Sequence, residues 1–459
     1  MYRVSVSLRS KLSRLAPSFP PTSAPGDLSA APEPVPAAED SAVVRRSETL
    51  ADLRARIQIA LERHARRAPA PPRPVDTTEL PFVTTETPRG PLSIRTQRLS
   101  PAHRMGRAPI LAARTASSRL LALLALDPTL AELDVSRALY LDTETTGLHG
   151  GTGTVAFLVG LAFWEPGSAE TGGGLVVEQI LVRNLGEEEP MLAHVRDRIA
   201  RASMLVTFNG KSFDLPLLRT RFVMARLEAP DEPPHLDLVH LARRLHKARG
   251  IECRLVGIER DVLGFVREND VPSGEVSACY LHFLRTGEAG ALLGVIEHNA
   301  WDVVAMAALV GLYGEPLEGT QLDAADLVGL ARTLKRARAT DEAWDAVERA
   351  VAAGGGDESL RARAEIAKSR GDRARALADF EALSDGVDDP AIRLELAKLY
   401  EHFVRDHGRA LSVVARGTGE GDAAALKRRA RLEAKKEKAE RKRKDAVQAV
   451  IPGLSIAAK

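Results

Sequence analysis

The sequence predicts an α/β domain, a mixed sheet flanked by helices, followed along the chain by an all-helical region. Three apolar runs at 138–141, 155–163 and 175–182 succeed one another across Gly-rich turns, the pattern of an antiparallel meander. Helical periodicity over 187–201, a short strand-like run at 204–208 and a second helical stretch over 214–227 then alternate. Beyond about residue 322 strand-like runs cease and helical spacing takes over.

Taken in order, residues 1–75 read as a leader expected to be disordered apart from one helix. Pro, Ser and Ala dominate 1–46, with Pro32, Pro34 and Pro36 alternating, and such a composition buries too little surface to offset the entropy of ordering. Leu50, Leu53, Ile57 and Leu61 recur at helical spacing behind Thr49, a capping residue. Pro69, Pro71, Pro72 and Pro74 then make a stiff linker. The α/β domain is expected over 76–320, with an earlier strand at 92–99 and a long closing helix over about 289–312.

The helical region is expected over 322–420. Leu330-Ala331 with Ala343-Trp344, Ile366-Ala367 with Ala376-Leu377, and Leu396-Ala397 with Ala410-Leu411 each suit one helix pair, at periods of 30 to 36 residues. Pairs of this length resemble tetratricopeptide repeats, which bury their apolar faces only by stacking; an ordinary helical bundle is the alternative. The tail, 421–459, is basic and expected to be helical or disordered. Its segment 427–444 carries eleven Lys or Arg against three Glu, in a chain whose net charge is +2. Such a run suits either phosphate binding through counterion release or a solvated helix face.

Composition narrows the function classes. Hydrophobic residues make up 44% of the 459, enough for a sizeable core. Cys253 and Cys279 have no CxxC partner, so neither a disulfide framework nor a thiolate zinc site is expected. The longest apolar run, 303–313, falls short of the roughly 20 residues that span a bilayer. Arg3, Arg9, Lys11 and Arg14 precede the first acid, Asp27, but no continuous apolar stretch accompanies them, so no secretory signal is expected. The expectation is a cytoplasmic protein with no membrane partner.

Three blocks carry chemistry. Leu141-Asp142-Thr143-Glu144-Thr145-Thr146-Gly147-Leu148 ends an apolar strand on acids. Side chains alternate along a strand, so Asp142 and Glu144 point the same way. Two carboxylates held together raise each other's pKa unless a cation sits between them, and a hard divalent ion with oxygen ligands resolves the conflict. The second block, Thr207-Phe208-Asn209-Gly210-Lys211-Ser212-Phe213-Asp214, passes from strand through turn to a helix that Asp214 begins, where the macrodipole favours an acid in any case. Gly210-Lys211-Ser212 imitates the end of a P-loop, but Leu205 stands where its first Gly belongs, which rules out a nucleotide cradle. In the third, Glu297-His298-Asn299-Ala300-Trp301-Asp302, His298 and Asp302 are four apart on the closing helix and share a face. A lone helical His is usually structural; an acid one turn on and two acidic blocks upstream favour a functional one. His235, Asp237, His240 and His246 form a weaker set, because Leu238, Leu241 and Leu245 make their segment an amphipathic helix that those residues serve structurally.

Together the blocks resemble the three motifs of DEDD exonucleases, which have an RNase H-like fold, and 207–218 with 297–306 are especially similar to YprB-type RNase H-like proteins. The resemblance covers about 76–320, and that family tends to carry tetratricopeptide-like helices behind the domain. It implies that Asp142, Glu144, Asp214 and Asp302 are metal-binding carboxylates for two divalent cations, Mg²⁺ or Mn²⁺. It assigns His298 to positioning or deprotonating the attacking water. The implied activity is 3′ to 5′ exonucleolytic hydrolysis of single-stranded DNA or RNA by a two-metal mechanism. The four-residue spacing from His298 to Asp302 is that of the tyrosine subclass, although the residue is that of the histidine subclass, which spaces the pair by five. Thr145, Leu148, Asn209 and Lys211 are expected to touch substrate.

The alternative is a catalytically weak adaptor, whose RNase H-like fold binds nucleic acid while the helical repeats recruit a protein partner. All four acids being present favours the enzyme. A transposase-type nuclease would carry a DNA-recognition module, and the sequence holds neither a helix-turn-helix pattern nor a zinc module.

Overall fold

The computed structural model describes residues 79–147, 153–165 and 173–450. The leader with its expected helix and Pro-rich linker, and Leu148, lie outside the described residues. Seven strands form one mixed sheet: β1 (Val83–Thr87), β2 (Gly90–Leu99), β3 (Ala138–Thr145), β4 (Ala156–Glu165), β5 (Gly174–Leu181), β6 (Met204–Thr207) and β7 (His235–Asp237). Their spatial order is β1-β2-β5-β4-β3-β6-β7. β3, β4 and β5 are antiparallel neighbours, the expected meander, and β2 extends it antiparallel to β5. β6 lies parallel to β3, and β7 parallel to β6.

Two strands lack a sequence signal. β1, Val-Thr-Thr-Glu-Thr, is an exposed edge with no apolar alternation, and β7 is only three residues at the head of an amphipathic helix. β3 outruns its apolar stretch by four residues, because pairing with β4 continues through Thr145 past a bulge at Glu144 and Thr145. On its other side β6 pairs only with Ala138 to Tyr140. The strand therefore carries Asp142 and Glu144 beyond one neighbour while the other still holds them in register.

Helices cover both faces. Those of the α/β part are α1 (Ser118–Ala125), α2 (Glu188–Ile199), α3 (Asp214–Met224), α4 (Leu238–Leu245), α5 (Leu255–Ile258), α6 (Val276–Thr286) and α7 (Gly290–Tyr313). On one face Met191, Leu192 and Val195 of α2 and Leu215, Leu218 and Phe222 of α3 pack against Leu139, Leu141 and Val159. On the other, Tyr140, Ala162, Val177 and Val206 meet α7 together with α1 and α4. Successive residues of β3 thus serve opposite cores, as the two-residue period of a strand requires. α7 is long and apolar enough to cross a bilayer by composition, and 78% of its most apolar 18-residue window is buried inside the fold. A helix apolar on all sides is the expected occupant of such a core position.

The chain continues as α8 (Ala324–Arg336), α9 (Thr340–Ala352), α10 (Gly356–Arg370), α11 (Arg373–Gly386), α12 (Pro390–Leu399), α13 (His407–Ala415) and α14 (Asp422–Val450). Each pair of dipeptides singled out in the sequence falls on consecutive helices. The core shared by α1, α4 and α7 runs on through Leu327 and Val328 to Ile366, so the first of these helices are packed into the α/β part. A buried polar joint reinforces that packing. His246 bonds through Nδ1 to Asp326 (2.8 Å) and through Nε2 to the Tyr313 hydroxyl (2.8 Å), while Arg249 reaches Asp326 at 2.9 Å. The basic helix α14 docks through Leu432, and part of its charge is consumed there: Arg431 and Lys435 bind Glu401, and Arg428 binds Glu420. Burial alone would raise the Glu401 carboxyl, but those bonds hold it down at about 2.

α8 approaches the end of α4 so closely that a Cβ on Gly329 would lie 2.1 Å from the Leu245 carbonyl oxygen. Backbone cannot move aside as a side-chain tip can. Gly329→Ala is expected to cost about 1–3 kcal/mol of stability through overpacking, read as a lowered urea midpoint, and an unchanged midpoint would show that this contact is dispensable.

Candidate metal centre

Asp142 and Glu144 share the β3 face that looks toward α7, one residue either side of Thr143. Asp142 stands opposite Gly160 of β4. The missing side chain there admits Asn299 of α7, whose Oδ1 would lie 2.4 Å from a Cβ at position 160. Asn299 then donates through Nδ2 to Asp142 Oδ2 at 2.9 Å, and its Oδ1 accepts from Gln179 Nε2 at 3.0 Å. Gln179 in turn accepts from Arg95 at 2.9 Å. This chain of bonds fixes which way the Asn299 amide faces and pins one oxygen of Asp142.

Asp214 arrives from the opposite face. After β6 the chain turns at Asn209, whose φ of 72° is a left-handed value that Asn tolerates. Asp237 stabilises that turn by accepting from the backbone N–H groups of Asn209 (2.6 Å) and Lys211 (3.1 Å), and it also caps α4 through Val239. Asp214 then opens α3 and accepts from the Thr143 hydroxyl at 2.6 Å. Because α3 and α7 lie on opposite faces of the sheet, Asp214 and Asp302 reach the end of β3 from two sides.

On the α7 side Glu144, His298 and Asp302 each present a ligand atom within 4.8 Å of the others. His298 Nε2 is 3.5 Å from Asp302 Oδ2 and 3.9 Å from Glu144 Oε1. Its Nδ1 is 2.7 Å from Asp270 Oδ1 and 3.0 Å from an Arg267 nitrogen. Arg267, its side chain only 1% exposed, also donates to Asp302 and in bidentate fashion to Glu259 (2.6 and 2.7 Å).

The electrostatics mark these acids as one group. Burial pushes Asp142 well above the usual carboxylate range, and the charges of Asp302, Asp214 and Glu144 push it further. Burial, then Asp302, raises Glu144 to about 7. Burial raises Asp214 to about 6 against the opposing bond from Thr143. His298 is raised as well: burial disfavours the charged ring, but Asp302, Glu144 and Asp270 outweigh it. Arg267 is the cation bound among these acids, and it is divided between Asp302 and Glu259. The remaining negative charge and the set of hard oxygen donors fit a divalent cation.

The structure brings Asp142, Glu144, Asp214, His298 and Asp302 together. Thr145 donates to the Gly147 carbonyl at 2.9 Å and shapes the turn after β3. Asn209 and Lys211 contribute their backbone to the Asp237 clamp, and the Lys211 charge is felt by Asp127 and His235. Of the weaker set, Asp237 serves as a clamp, His235 meets the Thr207 hydroxyl at 2.8 Å and His246 lies in the joint to α8, while His240 is exposed on α4. Sequence reasoning missed Arg267, Glu259, Asp270 and Asn299. Asn299 had a signal, since it neighbours His298 on the closing helix; Arg267 and Asp270 sit in a loop without periodicity.

In the absence of cations, Glu144 ionises near 4.5 when unfolded but near 7 in the fold, and Asp214 moves from 3.8 to about 6. Between those values the folded form binds the extra proton, so these groups favour folding at low pH and this contribution is lost as pH rises toward 7. The metal-free thermal midpoint is therefore expected to fall more steeply from about pH 5 to about pH 7.5 in the parent than in Glu144→Gln. Parallel curves for the two proteins would contradict the assignment.

Comparison with known proteins points to the same fold. The family described as the RNase_H superfamily matches residues 139–313, the span from β3 through α7. The protein YprB of Bacillus subtilis (strain 168) is 31% identical over 299 residues, which cover 62% of this chain and 70% of YprB. The chain belongs to the RNase H superfamily, as a relative of YprB.

Proposed function

We propose that this protein is a metal-dependent exonuclease of DEDD type that hydrolyses single-stranded DNA or RNA from the 3′ end. The observation that carries this reading is the convergence of Asp142, Glu144, Asp214 and Asp302, four buried or half-buried acids delivered to the end of one strand by β3, α3 and α7. A protein that only bound nucleic acid would have no reason to turn buried carboxylates toward phosphates, because like charges repel. Asp142, Glu144 and Asp302 would hold one cation, and Asp142 with Asp214 a second. Bound there, Mg²⁺ or Mn²⁺ would activate water for attack on the phosphodiester and stabilise the departing oxygen. The chain's own task is orientation: Asn299 pins Asp142, Thr143 pins Asp214 and Arg267 pins Asp302.

Polarity and the preference for single strands rest on the motif resemblance. The consecutive helix pairs from α8 to α13, similar in length to tetratricopeptide repeats, would serve a protein partner, and the cationic residues of α14 that remain free of Glu401 and Glu420 would attract phosphate.

Matched strands of DNA and RNA, labelled at either end and incubated with Mn²⁺, test the proposal. A 3′ label is expected to leave at once as a mononucleotide, while a 5′ label marks a shortening ladder. Asp142→Ala should lower the rate by at least a hundredfold, since loss even of an outer-shell partner costs roughly 10–100-fold. Undiminished cleavage by that variant would refute the site. Strand binding without cleavage, indifferent to Asp302→Asn, would favour the adaptor.

A further inference from the structure

We propose that His298 is itself a metal ligand, its Nε2 joining one carboxylate oxygen each from Glu144 and Asp302 in a three-point site for a first-row transition ion, with Asp270 fixing the ring. The proposal rests on the cation-binding reading of the acid centre and replaces the water-activating role that the motif implies for His298. Three observations carry it.

First, the placement suits coordination. His298 and Asp302 are one turn apart on α7, so their side chains lie on one face, and Glu144 comes from β3. Neighbouring ligands about 2.1 Å from one ion lie roughly 3 Å apart. The separations of 3.5 and 3.9 Å from Nε2 need only a small closure to reach that spacing.

Second, His298 is 7% exposed and its Nε2 faces those two carboxylates, so the ring is held at the acids rather than turned to solvent.

Third, the rear of the ring is held as a metal-bound imidazole is held. An ionised carboxylate can only accept, so the 2.7 Å contact with Asp270 places a proton on Nδ1, and in the neutral ring that binds a metal it is the Nε2 lone pair that faces the acids. Arg267, 3.0 Å from Nδ1, would select the other tautomer. Asp270 is nearer, and Arg267 is already bound to Glu259 and Asp302. An imidazole ligand favours Mn²⁺ and later metals over Mg²⁺, which takes oxygen.

The test is the electron spin echo spectrum of Mn²⁺ bound to the full chain, with histidine carrying ¹⁴N or ¹⁵N. A directly coupled histidine nitrogen is expected, which changes with the isotope and vanishes in His298→Gln. Asp270→Asn should weaken Mn²⁺ roughly 10–100-fold, the usual effect of losing an outer-shell partner, and leave Mg²⁺ affinity nearly unchanged. Bound Mn²⁺ without nitrogen coupling in the parent protein, a measurement that needs no variant to fold, would overturn the proposal and leave an all-carboxylate centre standing. A parent chain that takes up neither Mn²⁺ nor Mg²⁺ would remove the nuclease reading as well.

Discussion

The constraint on which this structure depends is the burial of several carboxylates at the end of one strand. An unpaired buried charge costs several kcal/mol even after relaxation, and like charges nearby add to it. Arg267 offsets only part of the charge here, and it is divided between Glu259 and Asp302. The surroundings hold the acids by hydrogen bonds in place of neutralisation. Asn299 holds Asp142, Thr143 holds Asp214, and the gap over Gly160 exists so that Asn299 can reach. Acids held this close and this deep in the fold suit a divalent cation between them.

The sheet converts that constraint into geometry. β3 lies inside it with an antiparallel neighbour that extends past the acids and a parallel neighbour that stops short of them. Opposite faces then deliver opposite acids, Asp214 on α3 and Asp302 on α7. α7 does two tasks along one axis: its first half offers His298, Asn299 and Asp302, and its second half, from Val303 onward, is almost wholly buried in the core shared with α1, α4 and α8. Rigidity of the polar turn is thus borrowed from the apolar one. The joint of His246, Tyr313 and Asp326 extends the same packing into the helical region.

Local pattern made much of this legible. The strand meander followed from apolar runs between Gly-rich turns, and the shared face of Asp142 and Glu144 from the two-residue period. The i, i+4 relation placed His298 beside Asp302. Where pattern was weak, expectation fell short: β1 is exposed and β7 is three residues long, so neither has a period to read. Around the motifs the structure adds what spacing does not show: the Thr145 hydroxyl and the Asn209 and Lys211 backbone hold turns in place, because a tight turn requires its polar groups to be satisfied locally.

By itself the sequence determined the kind of domain, the acids that a strand or helix places on one face, and the helical character of the region from about 322 to 420. These are properties of spacing within a single element. Only the tertiary structure decided that three such elements converge, that Arg267 enters from a loop and Glu259 from the helical turn after α5, and that Asp270 stands behind His298. Contacts between residues 28 to 157 positions apart have no local signature; they exist because the two cores press α3 and α7 onto opposite sides of the same strand.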